Sequence, residues 1–194
     1  MEGKPARDTV LKALERFGDI DQSNPPLAVD LGCGAGRDSV AMLSAGWNVW
    51  AQDGSQDGLN RTKARPEIQA AIKANRIQIT HAHFEELTIP SATLVNASFS
   101  LPFCPPDHFP ALWSKIDAAI EPGGRFSGQF FGDRDDWAIL DDRTHLTRAE
   151  TINLFDQYIL ESFIEEDRPS THTGDNHKHW HVFHIVARKR VPTT

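Results

Sequence analysis

Three glycines alternate at the end of a short apolar run. Leu27–Leu31 leads into Gly32, Cys33, Gly34, Ala35 and Gly36, and a helical pattern opens at Arg37. Glycine has no side chain, so such a strand-to-helix turn lets bare backbone press against a ligand. Two carboxylates accompany it: Asp30 inside the apolar run, and Asp53, 21 residues beyond Gly32 at the end of the next one. An acidic group about 20 residues past the first glycine is placed to accept hydrogen bonds from two ribose hydroxyls. The expected ligand therefore contains a nucleoside. A dinucleotide-binding turn follows G-x-G-x-x-G, which would put its third glycine at position 37. Arg37 stands there instead, and the third glycine comes one place early. That disfavours a pyrophosphate cradle, and with it the first rival reading, a nicotinamide-dependent oxidoreductase.

The segment Asp30-Leu31-Gly32-Cys33-Gly34-Ala35-Gly36 resembles the first motif of the class I S-adenosylmethionine-dependent methyltransferases. The resemblance implies S-adenosylmethionine as cofactor, with Asp53 on the ribose and Asp30 helping to orient the amino-acid end. Ala82-His83-Phe84-Glu85-Glu86-Leu87 resembles the family's segment after the third strand, where an acidic residue commonly meets the adenine amino group. His83 holds that place here, which is a departure, and Glu85 is a substitute carboxylate. Phe84 is either core or lies against the adenine face, offering its backbone N–H to a ring nitrogen. Residues 96–103 correspond to the fourth motif, which lines the path from methyl to acceptor. The Asn/Asp-Pro-Pro-aromatic signature of DNA and protein amide methyltransferases is absent. Asn96 or Ser98 is expected near the methyl, with Phe99, Leu101 and Phe103 as an apolar wall.

In size the chain is similar to the compact small-molecule methyltransferases, the tellurite-resistance and thiopurine types. The implied reaction is methyl transfer to a small thiol, amine, hydroxyl or metalloid oxyanion. A module that binds S-adenosylmethionine without transferring its methyl is the second rival. No residue declares itself as a general base, so no catalytic residue is assigned. That suits an acceptor already nucleophilic at neutral pH.

The elements that must position these residues alternate. A helix is expected over 8–17, covering the cofactor site or the sheet. Helices follow over 37–45 and, interrupted at Pro66, over 56–74. Strands are expected over 27–31, 48–53, 77–84, 93–100 and 125–131. Asp107 is placed to cap a helix burying Phe109, Leu112, Trp113, Ile116 and Ile120. Thr147-Arg148-Ala149-Glu150 reads as a capping box. Two late strands, 159–165 and 180–188, have no helix between them, so the last should run antiparallel. The fold expected is α/β: a Rossmann-like, doubly wound, mostly parallel sheet with helices on both faces, in one domain over 1–194.

In such sheets ligands bind beyond the carboxyl ends of the strands. An antiparallel last strand would bring residues 176–181 beside the loop after the fifth strand. Arg134, Trp137 and Trp180 are therefore candidate acceptor contacts, together with Phe99. His177, His179 and His181 alternate along that last strand and would share one face. Neighbours two apart on a strand do not converge on one ion, and no carboxylate has a matching spacing in sequence, so no metal is assigned. His145 reads as part of the approach to a helix rather than as a base.

With 194 residues, a net charge of −7 and no basic run longer than Arg188-Lys189-Arg190, nucleic acid is not an expected partner. No apolar run is long enough to span a bilayer, and no signal-like segment opens the chain. Two cysteines cannot build a disulfide framework, so a cytoplasmic monomer or homodimer acting on a small molecule is the expectation.

Overall fold

Long continuous apolar runs make strands that are buried on both faces, and the sheet is assembled from them. The computed structural model describes residues 5–170 and 178–192. In chain order the elements are α1 (Asp8–Phe17), β1 (Leu27–Leu31), α2 (Arg37–Ser44), β2 (Asn48–Asp53), α3 (Gln56–Lys63), α4 (Pro66–Lys73), β3 (Ile77–His81), β4 (Ala92–Ala97), α5 (Phe109–Ala119), β5 (Ile120–Gly132), β6 (His145–Leu146), α6 (Arg148–Asn153), β7 (Tyr158–Pro169) and β8 (His179–Lys189). They form one sheet in the order β3-β2-β1-β4-β5-β8-β7, with β6 beside β5. Strands β1 to β5 pair in parallel, and β8 runs antiparallel to both β5 and β7. The doubly wound, mostly parallel sheet with an antiparallel last strand is thus observed.

Each face carries its own core. On one face Val29, Leu31 and Val95 pack with α5 and an aromatic group of Trp113, Phe126, Phe130 and Phe155. On the other, Ala28, Val49 and Leu94 meet Val10 of α1, Met42 of α2, Leu59 of α3 and Ile68 of α4, with Trp47 beside them. The alternation along β1 divides neighbouring residues between the two cores, and this fixes the register of its pairing. Helix α1 lies against β5 and β8, so it covers the sheet.

Several boundaries differ from expectation, each for a local reason. The third strand stops at His81, because Glu86 N–H turns back to His83 C=O and opens a tight turn over Phe84–Glu86. The fourth stops at Ala97, because Phe99 adopts a left-handed φ of 53° that a ladder cannot continue. Asp107 does not cap α5: the helix begins at Phe109 after His108, with no side-chain cap. Ile120, expected to end that helix's buried stripe, opens β5 instead. The Thr147 capping box forms as expected, with reciprocal bonds to Glu150. Among the described residues no helix is long and apolar enough to cross a membrane.

Candidate active site

Strand order reverses at β1, which lies between β2 and β4, and a crevice opens beyond the carboxyl ends of these three strands. Its volume is about 310 Å³, and Gly32, Asp53, His83, Phe84, Phe99 and Ser100 are among its walls. This is the lower end of the range for small-molecule sites.

The glycine turn shapes the floor by two different means. Gly32 has a φ of 68°, and a Cβ there would fall 2.3 Å from the Ser100 Cβ, so close packing of β1 against the β4 loop excludes any side chain. Gly34 has a φ of 56°, yet a Cβ there would meet nothing within 4 Å. The space beside Gly34 is open, and its N–H orients Asp53, which lines the crevice. Gly36, also left-handed, packs on Thr62 and opens α2.

Asp53 is held in place by backbone. Its Oδ2 accepts from Gly34 N–H at 2.7 Å and its Oδ1 from Ser55 N–H at 2.7 Å. Each carboxylate oxygen retains a lone pair for a further donor. Gln52, which the sequence reading missed, ties the strand ends together. Its Oε1 accepts from Gly32 N–H at 3.2 Å and its Nε2 donates to Ala82 C=O at 2.6 Å. The signal available was a polar residue inside an otherwise apolar strand run, next to Asp53. His83, Phe84 and Glu85 line the same crevice, with Phe84 half-buried against the α5 core.

Asp30 and Asn96 do not line the crevice; they lie beneath it. Asp30 is 1% exposed, accepting from Ser39 Oγ at 2.5 Å and from Asn96 Nδ2 at 2.9 Å. Asn96 Oδ1 in turn accepts from Ser127 at 2.8 Å and Ser98 at 3.3 Å. Burial, with the nearby Asp38 carboxylate adding to it, pushes the Asp30 carboxyl up to about 7. Ser98 is half-buried and joins this network as a donor.

The rim on the β5 side is aromatic. Trp137 and Trp180 cross edge to face at 5.3 Å, with Phe131 5.8 Å from Trp137 and 6.1 Å from Trp180. Phe103, half exposed on the crevice wall, lies 6.5 Å from Trp137 and joins the two regions. The Lys178 ammonium sits 3.7 Å from the Trp180 ring centre and 4.3 Å from that of Trp137, and pairs with the buried Asp135 at 2.5 Å. His145 lies 5.7 Å from Phe131 with its Nε2 buried and unpartnered, and burial lowers its pKa, favouring neutral imidazole. Both cysteines are buried, and burial raises their thiols, so neither is poised as a nucleophile.

Arg134 is turned away from this rim. Its guanidinium binds Glu165 at 2.8 Å and Asp167 at 2.6 Å. The expectation that the β8 histidines lack a matching carboxylate is overturned here by cross-strand register: Asp167 pairs with His181, and Glu165 lies 3.0 Å from its Nε2. Glu165, Asp167 and His181 can bring ligand atoms within 4.8 Å of one another, with the Arg134 guanidinium among them as counter-charge. His179 binds Asp167 at 2.6 Å, while Asn176 and His177 lie outside the described residues.

A family model described as a methyltransferase domain matches residues 28–124, which holds the glycine turn, Asp53 and the crevice walls. The chain belongs to that family. The chain is 31% identical over 99 residues to the carboxy-S-adenosyl-L-methionine synthase of Vibrio atlanticus, covering 49% of this chain and 40% of that protein. It thus spans about half the length, or less, of the curated relatives it matches. Among solved structures it resembles TehB from Haemophilus influenzae, with a TM-score of 0.77 at 16% identity, over 95% of this chain and 62% of that one. It also resembles the Burkholderia thailandensis 1,6-didemethyltoxoflavin N1-methyltransferase with bound S-adenosylhomocysteine, with a TM-score of 0.63 at 19% identity over 95% and 77% of the two chains. The methyltransferase-domain family and the fold agree with the resemblance drawn from the glycine turn.

Proposed function

We propose that residues 1–194 act as a single domain that transfers a methyl group from S-adenosylmethionine to a small-molecule acceptor. The observation that carries the reading is the pairing of an open, side-chain-free space at Gly34 with the Asp53 carboxylate, which is oriented by Gly34 N–H itself. In this reading Asp53 receives the ribose hydroxyls, the walls at His83 and Phe84 receive the adenine, and Gly32 and Gly34 give backbone approach. Gly36 lets α2 start at the correct angle. Asp30 and Asn96 act from below, stiffening the β1 and β4 ends on which the cradle rests.

When bound, the cofactor supplies an electrophilic methyl on a sulfonium. The protein's task is alignment, and holding two reactants in line accounts for several kcal/mol of rate acceleration. Phe99 and Ser98, at the β4 end, define the approach, and the acceptor enters from the rim of Phe103, Trp137 and Trp180. Those flat rings favour a planar or apolar acceptor body. Arg134, committed to Glu165 and Asp167, serves that rim by anchoring the β7–β8 hairpin.

Thermal denaturation tests the reading. S-adenosylhomocysteine should raise the melting temperature by mass action and NAD should not. A shift with NAD alone would replace this reading with a dehydrogenase. A second reading follows from the curated relatives, whose name denotes synthesis of carboxy-S-adenosyl-L-methionine. Mass spectrometry of the nucleoside after turnover separates the two: S-adenosylhomocysteine marks methyl transfer, and a carboxylated nucleoside marks the alternative.

A further inference from the structure

Arg7 stands immediately before α1, in extended conformation, and its N–H donates to Asp38 Oδ1 at 2.9 Å. This fixes the chain end of α1 against the first turn of α2. The guanidinium carbon then lies over the Phe99 ring, 4.3 Å from its centre. Phe99 is a crevice wall and carries the left-handed backbone noted above. Its N–H donates to Gln129 at 3.1 Å, and Gln129 donates to Thr9 of α1 at 2.8 Å. Arg7, α1 and the wall are therefore one tied assembly.

Among the described residues the Arg7 guanidinium has no hydrogen-bond or ion-pair partner, and Asp38, Asp8 and Glu166 favour its charge only from a distance. Its Nε is buried and unbonded. Of the carboxylates that favour its charge, Asp38 is already committed to Arg7 N–H, to Asn96 at 3.4 Å and to Arg37 Nε at 3.6 Å, and Asp8 is its exposed chain neighbour. Glu166 is taken by His184 at 3.0 Å and Arg168 at 2.8 Å. Arg37 is a second cation close enough to disfavour the charge on Arg7, as burial also does. A half-buried guanidinium beside another cation, with donors unfilled, is costly unless something anionic completes it.

We propose that Arg7 is an anion-binding residue of the crevice, pairing with a carboxylate or oxyanion of the bound ligand beside Phe99. Guanidinium offers two parallel donors that match such groups, and stacking on an aromatic face leaves that fork free. The proposal rests on the reading of the crevice as a nucleoside thioether site. The anion comes either from the amino-acid end of the cofactor or from an anionic acceptor.

Calorimetric titration of the full chain, comparing wild type with Arg7→Gln and Arg7→Lys, tests it. The probes are S-adenosylhomocysteine, methylthioadenosine (the same nucleoside thioether without the amino acid), acetate and sulfate. If the anion is the cofactor's, Arg7→Gln weakens S-adenosylhomocysteine by about tenfold or more, leaves methylthioadenosine unchanged, and Arg7→Lys recovers part of the loss. If it is the acceptor's, S-adenosylhomocysteine binds both proteins alike, and acetate or sulfate binds the wild-type complex but not the Arg7→Gln complex. The proposal is overturned if Arg7→Gln matches wild type toward every probe. If neither nucleoside binds wild type, the crevice reading fails, and the anion titration of the free protein alone decides the role of Arg7. Thermal melting checks that Arg7→Gln still folds, so that a binding loss in the folded variant reads as loss of the anion contact.

Discussion

The two sides of the sheet's carboxyl rim are built from different materials. Beside β1 and β2 the crevice rests on backbone at Gly32 and Gly54, with Asp53 held by two N–H groups and the other side chains standing as walls. Beside β5 and β8 it is side chains: the half-buried Trp137 and Trp180, backed by the buried Phe131 and Lys178, with Arg134 tying the hairpin carboxylates. A site made of backbone tolerates few residue types and no change in spacing, whereas a site made of stacked rings tolerates many. The first side therefore suits a constant nucleoside and the second an acceptor that differs among relatives.

The contrast can be broken most severely at Gly32. Gly32→Ala would set a Cβ against Ser100 at a φ of 68°, and overpacking plus left-handed strain should cost about 3 kcal/mol in denaturant unfolding. A stability equal to wild type would show that the turn relaxes freely. Asp53→Ala should weaken S-adenosylhomocysteine by about 2–3 kcal/mol in calorimetry, with unfolding less affected. Gly34→Ala is the informative counterpart of Gly32→Ala: strain of about 1 kcal/mol in stability, but a clear loss of nucleoside affinity, because the new methyl enters the open cradle. If both glycine variants lose stability equally and Gly34→Ala still binds, the cradle is not at Gly34.

Asp30 sharpens the same side through pH. Burial, with Asp38 beside it, pushes its carboxyl up from the ordinary 3.8 to about 7 in the fold. Folding therefore favours the protonated form, and ionisation destabilises the native state as pH rises from about 4 through 7. The melting temperature of wild type should fall across that window, on the order of 5 °C more than that of Asp30→Asn. Parallel profiles would mean that Asp30 is ionised throughout. On the other side, Arg134→Ala should change stability by less than about 1 kcal/mol, because its partners are half-exposed and solvent screens them. It should leave nucleoside affinity untouched.

The backbone side was legible in the sequence for a physical reason. Only glycine fits Gly32, and the Asp53 spacing is fixed by one strand, one helix and one strand, so composition and distance along the chain carry the geometry. The alternation of elements gave the sheet, and the missing helix between β7 and β8 gave the antiparallel last strand. The roles beneath the surface were less visible. Asp30 and Asn96 carry the residue types of the motif, yet burial and mutual hydrogen bonds place them under the crevice. Cross-strand register was invisible, because residues far apart in sequence meet only through pairing: Arg134 with Glu165 and Asp167, and the same carboxylates with His181. The Arg7 guanidinium had no signature at all, since what singles it out is that, among the described residues, it sits over Phe99 without a hydrogen-bond or ion-pair partner.

The central claim is that a nucleoside lies on bare backbone between the glycine turn and Asp53. A crystal structure of the S-adenosylhomocysteine complex tests it most directly. The account predicts both ribose hydroxyls within hydrogen-bond distance of the Asp53 carboxylate, the space over Gly34 filled, and the adenine beside His83 and Phe84. A nucleoside bound elsewhere, with that space still open, would contradict it.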